Sequence, residues 1–190
     1  ADPLGNILTV ILEEAMATTD SLELSQSFSS DGVGCYTTPT PGESNVYCFE
    51  SCLIGDLNGD QNGPCIALRA DMDALPLQET SKFSYKSINQ GVMHACGHDG
   101  HIAMLLGAAQ ILSTKRHKIK GKIRFIFQPA EEGKGGARYM IKDGCLEGVD
   151  EIYGAHLWNY QKSGTIGIKP GPVMAAADLF KIIIKGKGGH

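Results

Sequence analysis

The segment from His94 to His101 (His-Ala-Cys-Gly-His-Asp-Gly-His) concentrates side chains that can do chemistry. It holds three imidazoles, one thiol and one carboxylate, with two glycines that let the backbone turn. Neutral imidazole, thiolate and carboxylate are the ligands that zinc selects. A lone histidine in a loop is more often simply solvated, but short Cys/His-rich tracts are typical of metal binding. The segment therefore predicts a metal site.

Three further polar clusters come just after predicted strands or at a helix start. They are Asp71 with Asp73, Glu131 with Glu132, and His156. Each has an ordinary explanation alone: a turn or N-cap aspartate, glutamates that favour the helix dipole, and a hydrogen-bonded interior histidine. In open α/β sheets, however, ligands bind beyond the carboxyl ends of the strands. We therefore expect these clusters and the histidine-rich segment to share one sheet edge.

The elements that must position these clusters alternate between strand and helix. The predicted strands are 45–54, 65–70, 122–128, 151–157, 163–168 and 180–185. The predicted helices are 4–16, 102–112 with Asp99 as its N-cap, and 131–143 with Gly144 as its C-cap. Residues 18–44 indicate loop, and 56–63 a turn with hairpin signals. This order predicts an α/β fold with a mostly parallel sheet flanked by helices.

Composition excludes several classes of protein. A net charge of -4 gives no reason to expect nucleic acid as a partner, and no apolar run approaches the ~20 residues that span a bilayer. No signal peptide is visible at the start of the sequence, so a cytoplasmic location is expected. The six cysteines are spread along a chain large enough to build its own core, which favours free thiols over disulfides. The Cys48/Cys52 pair is interpreted in the same way.

Four motifs in matching order and spacing resemble the amidohydrolase branch of the zinc carboxypeptidase/aminoacylase superfamily. This group includes hippurate hydrolase, N-acyl-amino-acid amidohydrolases and the plant auxin-conjugate hydrolases. The resemblance covers about Pro64 to His190. The motifs are Ala67-Leu-Arg-Ala-Asp-Met-Asp-Ala-Leu-Pro76, the His94–His101 segment, Gln128-Pro-Ala-Glu-Glu-Gly133 and Gly154-Ala-His-Leu-Trp158.

The resemblance implies a two-metal site on a zinc-aminopeptidase-like catalytic domain. Zinc suits the ligands best, and manganese or cobalt also fits a mixed site. Glu131 would be the general acid/base, Asp73 would orient ligands from behind, and His190 would reach the substrate carbonyl. His94, Asp99 and His101 are left with supporting or capping roles. The implied metal ligands are Cys96 (bridging both ions), His98, Glu132 and His156.

The resemblance also predicts the domain organisation. Residues 1–177 are expected to form the catalytic domain, although 1–63 lack the family's usual opening. Residues 178–190 would begin a smaller α+β dimerisation or lid domain, through which a homodimer is expected. The family's last metal-ligand histidine has no counterpart here, so an incomplete catalytic unit is predicted.

The predicted function is a metal-dependent hydrolase that cleaves the amide bond of small N-acyl amino acids. One alternative is a non-catalytic homologue that serves as a structural or assembly subunit. A second alternative is a metallopeptidase of the same superfamily that acts on short peptides. Five retained site residues favour an enzyme over a scaffold, because a scaffold needs none of them. The sequence alone does not separate amidohydrolase from peptidase.

Overall fold

A computed structural model describes residues 22–29, 51–132, 135–176, 178 and 180–189 of the 190-residue chain. The chain divides into two compact units, one ending at Leu157 and one starting at Trp158. The predicted helix 4–16 and the terminal His190 lie outside the described residues. Within the described part of the chain, no helix has the length and apolarity needed to cross a membrane.

The first unit is built on a five-stranded mixed sheet in the order β1-β2-β4-β3-β5. The three strands β4, β3 and β5 are mutually parallel neighbours, whereas β2 pairs antiparallel with both β1 and β4. The carboxyl ends of β3, β4 and β5 therefore meet at one edge of the sheet. The strands are β1 (Leu22–Ser29), β2 (Ser51–Asn58), β3 (Gln61–Asp71), β4 (Lys120–Gln128) and β5 (Glu151–Gly154).

Helices cover both faces of this sheet, which confirms the predicted α/β class. Helix α1 (His98–Ser113) packs on one face, and α2 (Gly136–Lys142) lies on the other. A short 3-10 turn (Arg116–Lys118) joins α1 to β4. Helix α1 buries a single stripe at three- and four-residue spacing, which is the pattern of a helix resting on a sheet. The stripe consists of His98, His101, Leu105, Ala109 and Ser113.

Side chains of the central strand β4 contribute to the hydrophobic cores on both faces of the sheet. Phe125 and Phe127 point into the cluster under α1, while Ile126 points into the cluster under α2. All three are at most 3% exposed. Successive side chains of a strand alternate between faces, so one apolar run supplies both cores. Because both faces of β4 are buried, its register in the sheet is fixed. The position of its carboxyl end, just before Pro129, is fixed with it.

Two predictions in the first sixty residues were wrong. Strand β1 lies inside the segment predicted as loop, because its backbone pairs with β2 although its composition is polar. The expected β2–β3 hairpin is absent, because β4 lies between these two strands. The turn between β2 and β3 instead contacts the start of β4, where the Gly59 N–H donates to the Gly121 carbonyl at 2.8 Å.

Helix α2 begins five residues later than predicted. Residues 131–132 form a turn instead, after Ala130 takes a left-handed φ of 51°. A Cβ at position 136 would lie 2.0 Å from the Pro129 carbonyl oxygen. The close approach of the start of α2 to Pro129 therefore requires glycine at this position. The predicted C-terminal glycine is confirmed: Gly144 has a φ of 90°, and its N–H donates to the Ile141 carbonyl.

The second unit has neither helix nor strand in residues 158–176, 178 and 180–189, the part of it that the structure describes. The strands predicted for 163–168 and 180–185 are therefore not observed among these residues. Residues with high β-propensity favour a strand only where a neighbouring strand packs beside them, and no described strand pairs with these segments. The division into a catalytic domain up to 177 and a lid domain from 178 remains a prediction.

Asp56 forms a buried ion-pair network between β2 and β4. Its carboxylate accepts hydrogen bonds from Arg124 at 2.8 Å and Lys122 at 3.0 Å. Burial alone would raise the pKa of Asp56, but these two partners outweigh burial and lower it. Arg124 also donates to the Cys145 and Glu147 carbonyls, so the network fastens the turn after α2 to the sheet.

We expect Asp56→Asn to lower the free energy of unfolding by about 3 kcal/mol near neutral pH, because it leaves two partly buried cations without their buried partner. Since the folded pKa is depressed, the contribution is complete above the unfolded-state pKa of about 3.9 and is lost as pH falls through the folded value. Urea unfolding across this range measures the difference.

Asp60→Asn is the matched control, because the Asp60–Arg116 pair is about half exposed on both sides. Such pairs contribute at most about 1 kcal/mol. A parent-to-variant difference at Asp56 that does not shrink in acid would contradict the assignment to an ionised carboxylate.

Candidate metal centre

Four segments converge at the carboxyl edge of the parallel strands. The end of β3 supplies Asp71 and Asp73, and the turn after β4 supplies the two adjacent glutamates. Helix α1 starts at this edge with the histidine-rich segment, and the chain after β5 supplies His156. An antiparallel bridge between Leu75 and Met93 closes the loop that returns the chain from β3 to α1. The topology therefore brings all four polar clusters together, as the sequence predicted.

His98 lies at the centre of this cluster and is 0% exposed. Its Nε2 atom is 3.9 Å from the nearest carboxylate oxygen of Glu131 and 3.9 Å from that of Glu132. The same atom is 3.6 Å from Asp71 Oδ2. His98 belongs to every group of described residues that could hold a metal ion, including the group with Cys96 and His156. The side chain thus connects the two halves of the predicted ligand set.

The residues present fit a divalent metal. Both ring nitrogens of His98 and the Oε1 atom of Glu132 are buried without a hydrogen-bond partner. A buried polar atom without a partner costs about 1–3 kcal/mol, so native proteins rarely keep three of them together. An electrophile shared by His98 Nε2 and Glu132 Oε1 would satisfy two of these three atoms, and zinc accepts both ligand types. We interpret these unpaired atoms as a metal-binding arrangement.

Cys96 and His156 approach each other beside His98. Their Sγ and Nε2 atoms are 3.6 Å apart. The Nδ1 atom of His156 lies 2.6 Å from the Leu157 carbonyl oxygen, which can only accept, so Nδ1 carries the proton and Nε2 the lone pair. Burial, followed by the carboxylates of Glu132 and Glu131, raises the pKa of the Cys96 thiol to about 11. Metal binding to this sulfur would therefore displace a proton.

Asp73 holds the glutamate-bearing turn in place. Its two carboxylate oxygens accept the backbone N–H groups of Glu131 at 3.0 Å and Glu132 at 2.9 Å. These bonds support the left-handed Ala130, a conformation that costs a residue with a Cβ about 1–2 kcal/mol. Asp73 Oδ1 also lies 3.3 Å from His98 Nδ1. The carboxylate therefore lies beside both the turn and the imidazole; its role in orienting ligands remains a prediction.

Asp71 and His101 form a second, fully buried unit. The sequence assigned no separate role to Asp71. The Asp71 carboxylate is 2.5 Å from His101 Nδ1 and 2.8 Å from Arg69 Nη1. Burial would raise the pKa of Asp71, but the bond from His101 and the nearby Arg69 lower it. The other His101 nitrogen accepts the Leu157 N–H at 2.8 Å. With both nitrogens engaged in hydrogen bonds, His101 has no lone pair left for a metal; its supporting role remains a prediction.

The structure differs in part from the prediction for the remaining residues of the His94–His101 segment. Gly97, with a φ of 89°, is the N-cap of α1, so the predicted N-cap Asp99 lies within the first turn instead. Its carboxylate accepts the Gly100 N–H at 2.9 Å. His94 is half-buried, and its Nδ1 atom has no hydrogen-bond partner. The predicted site residue His190 lies outside the described residues. Cys65, Cys96 and Cys145 are free thiols, as predicted.

These features define an α/β domain with a candidate metal centre at the carboxyl edge of its parallel strands. The model of the peptidase family M20/M25/M40 matches residues 67–185, well over half of the sequence. The chain belongs to this family. The match begins at the strand that delivers Asp71 and Asp73, and it includes every candidate metal ligand.

Curated relatives share this part of the sequence. The chain is 55% identical over 142 residues to an N-acyl-L-amino acid amidohydrolase of Geobacillus stearothermophilus, covering 74% of this chain and 38% of that protein. It is 51% identical over 142 residues to thermostable carboxypeptidase 2 of Saccharolobus solfataricus, covering 74% and 36%. The chain thus spans well under half the length of these relatives.

A solved structure shares the fold. The YXEP protein of Bacillus subtilis, described as a dinuclear metal-binding peptidase of the M20 family, superposes with a TM-score of 0.70 at 36% identity. The match covers 88% of this chain and 40% of that structure. The predicted family and fold class are therefore confirmed.

Proposed function

We propose that the whole protein is a metal-dependent hydrolase that cleaves the amide bond of N-acyl amino acids, with Glu131 as general acid/base. The observation that carries the proposal is the buried, unpaired His98 Nε2 facing the carboxylates of Glu131 and Glu132. A centre that binds metal next to a half-exposed carboxylate has both parts that amide hydrolysis requires: an electrophile and a mobile proton acceptor.

The proposed metal ligands belong to two groups that share His98. Cys96 and His156 form one group with His98, and Glu132 belongs to another group that also contains His98. His98 would bind through Nε2, because its Nδ1 faces the Asp73 carboxylate, an arrangement that orients metal-bound histidines in many proteins. We propose two divalent ions, zinc in preference to manganese or cobalt, because the ligand set mixes thiolate, imidazole and carboxylate.

Divalent ions bound here would lower the pKa of water and polarise the amide carbonyl. Glu131 is the residue placed to move protons. Its side chain is 43% exposed, whereas that of Glu132 is 28% exposed, so Glu131 faces the solvent side of the cluster. It would take a proton from the attacking water and return it to the leaving amine nitrogen, which departs poorly as an amide anion. Asp73 fixes the backbone of both glutamates, so the base stays in register with the adjacent ligand.

The proposed substrate class comes from the relatives rather than from a pocket. The related proteins include an N-acyl-L-amino acid amidohydrolase, an N-acetylcysteine deacetylase and an IAA-amino acid hydrolase, whose names share an N-acylated amino acid. A carboxypeptidase at 51% identity supports a second candidate, a peptidase acting on short peptides. A homodimer, a cytoplasmic location and a carbonyl-binding role for His190 remain predictions.

Metal analysis together with a substrate panel tests the proposed function on the longest natural form of the protein. We expect about two divalent ions per chain, hydrolysis of N-acyl amino acids in preference to unblocked dipeptides, and loss of turnover in chelator with recovery on adding zinc. Faster cleavage of the dipeptides would support the peptidase. Neither bound metal nor turnover with either substrate class would support the non-catalytic subunit and overturn the proposal.

A further inference from the structure

In the segment 155–157, which carries His156, the backbone of Leu157 is hydrogen-bonded to a side chain in the N-terminal turn of helix α1. The Leu157 N–H donates to His101 Nε2 at 2.8 Å. The adjacent Glu151–Gly154 strand is only four residues long and exposed along its length. A short exposed strand supplies little burial to fix the next few residues of the chain. The bond from Leu157 to His101 therefore ties the residue after His156 to buried structure.

The hydrogen-bonding state of His101 is defined by its two partners. Because Nε2 accepts the Leu157 N–H, Nδ1 carries the proton and donates to Asp71 Oδ1. Asp71 accepts in turn from Arg69, which also donates to Gln128 at the end of β4. His101 is 2% exposed and Asp71 is 1% exposed. The imidazole is thus locked in orientation by the ends of two central strands, and it presents a fixed acceptor to Leu157.

The glycines of the histidine-rich segment complete the contact with Leu157. A Cβ added at Gly100 would lie 2.4 Å from Leu157 Cδ1, and one added at Gly97 would lie 3.4 Å from Leu157 Cβ. Gly107, two turns further along the same helix, has nothing within 4 Å of such a Cβ. The absence of a side chain at Gly100 therefore makes room for Leu157. At Gly107 no neighbouring group occupies the space that a side chain would fill.

We infer that Gly97, Gly100 and His101 form a seat for Leu157 that sets the position of His156 at the metal centre, with His101 as the positioning residue. The inference rests on the proposed function, because it assigns His156 to the ligand set. The seat itself involves no metal. His101 acts on His156 through the neighbouring peptide group, while the Leu157 side chain prevents the segment from sliding along α1.

Two substitutions at His101 separate its two hydrogen bonds. In His101→Asn the amide nitrogen can still donate to Asp71, but the shorter side chain does not reach Leu157. In His101→Gln the amide oxygen stands close to the position of Nε2 and can still accept the Leu157 N–H. A general loss of packing would affect both variants, whereas the seat predicts that only His101→Asn releases the segment.

The first measurement is hydrogen exchange at the Leu157 amide in the metal-free, full-length protein. We expect exchange about tenfold faster in His101→Asn and close to the parent rate in His101→Gln. The second measurement is a Co²⁺ titration followed through the sulfur-to-cobalt absorption band. We expect His101→Asn to weaken Co²⁺ binding by about 10- to 100-fold, the usual effect of removing a residue that orients a ligand.

The two measurements distinguish failure of the inference from failure of the proposed function. If the parent binds no Co²⁺, the proposed metal centre is wrong, and the amide exchange still decides whether the seat exists. If the parent binds Co²⁺ but His101→Asn and His101→Gln behave alike in both measurements, the inference is overturned.

A pair of glycine substitutions provides an independent check. Gly100→Ala and Gly107→Ala both replace a glycine of α1 and gain the same helix propensity. We expect only Gly100→Ala to weaken Co²⁺ binding and speed exchange in the 155–157 segment. Adding Leu157→Ala to Gly100→Ala removes the clashing methyl and should restore Co²⁺ affinity towards that of Leu157→Ala alone. Equal effects of the two single substitutions would overturn the inference.

Discussion

Glu131→Gln is expected to lower kcat by about 10²–10⁴-fold while leaving the metal content unchanged. The amide keeps the size of the carboxylate and the backbone N–H that donates to Asp73, so the turn should stay in place. The substitution removes a side chain that can accept and return a proton. Steady-state kinetics on an N-acyl amino acid, with metal analysis of the same preparation, measures both quantities.

Glu147→Gln is the matched control for this experiment. Glu147 is exposed in the turn after α2, and its backbone carbonyl rather than its side chain accepts from Arg124. We expect parent turnover in this variant. A Glu131→Gln enzyme that retains the parent rate would rule out the acid/base role, and one that loses its metal would instead make Glu131 a ligand.

His98→Asn is expected to weaken metal binding by at least about hundredfold, since a metal site bound by some 10–16 kcal/mol draws several kcal/mol from each ligand. His98 is expected to have the largest effect among the ligands, because it belongs to every candidate metal group in the described part of the chain. Competition with a chromophoric chelator gives the Kd, and circular dichroism reports whether the fold is retained.

His117→Asn serves as the control for the loss of an imidazole. His117 lies exposed in the 3-10 turn between α1 and β4, away from the carboxyl edge of the sheet. Its substitution should leave the Kd unchanged. Metal binding by a well-folded His98→Asn protein at the parent affinity would contradict the assignment of His98 as the central ligand.

The sequence predicted the site better than it predicted the connections around it. Strand ends and helix starts were recognisable from apolar runs followed by clustered polar residues, and the rule that parallel strands share a carboxyl edge brought Asp73, His98 and Glu132 together. Pattern alone did not show that β4 lies between β2 and β3. Pairing between distant strands depends on register and burial, which local periodicity does not encode.

The sequence alone also did not predict residue roles that depend on a partner far along the chain. Asp71 and Asp73 look equivalent in the sequence, yet one is bonded to His101 and Arg69 and the other to the backbone of the glutamate turn. Likewise, Ala130 gave no sign of its left-handed backbone, because alanine has no preference for that conformation. One signal was available: glycines at 97 and 100 in a helix start indicate close approach of another segment.

The position of β4 between β2 and β3 has a consequence for how the protein is made. Strands β2 and β3 are joined by a short turn but are not neighbours in the sheet. Strand β3 instead pairs with strands far along the chain: Cys65 pairs with Lys122, and Ile66 pairs with Glu151. Such high contact order slows folding, because the chain loses the entropy of closing long loops before the paired strands gain any stabilising contacts. A nascent chain that has emerged only as far as β3 finds no partner for that strand in the β2 just before it. The metal centre is therefore among the last parts to assemble, after His156 has left the ribosome and docked on α1.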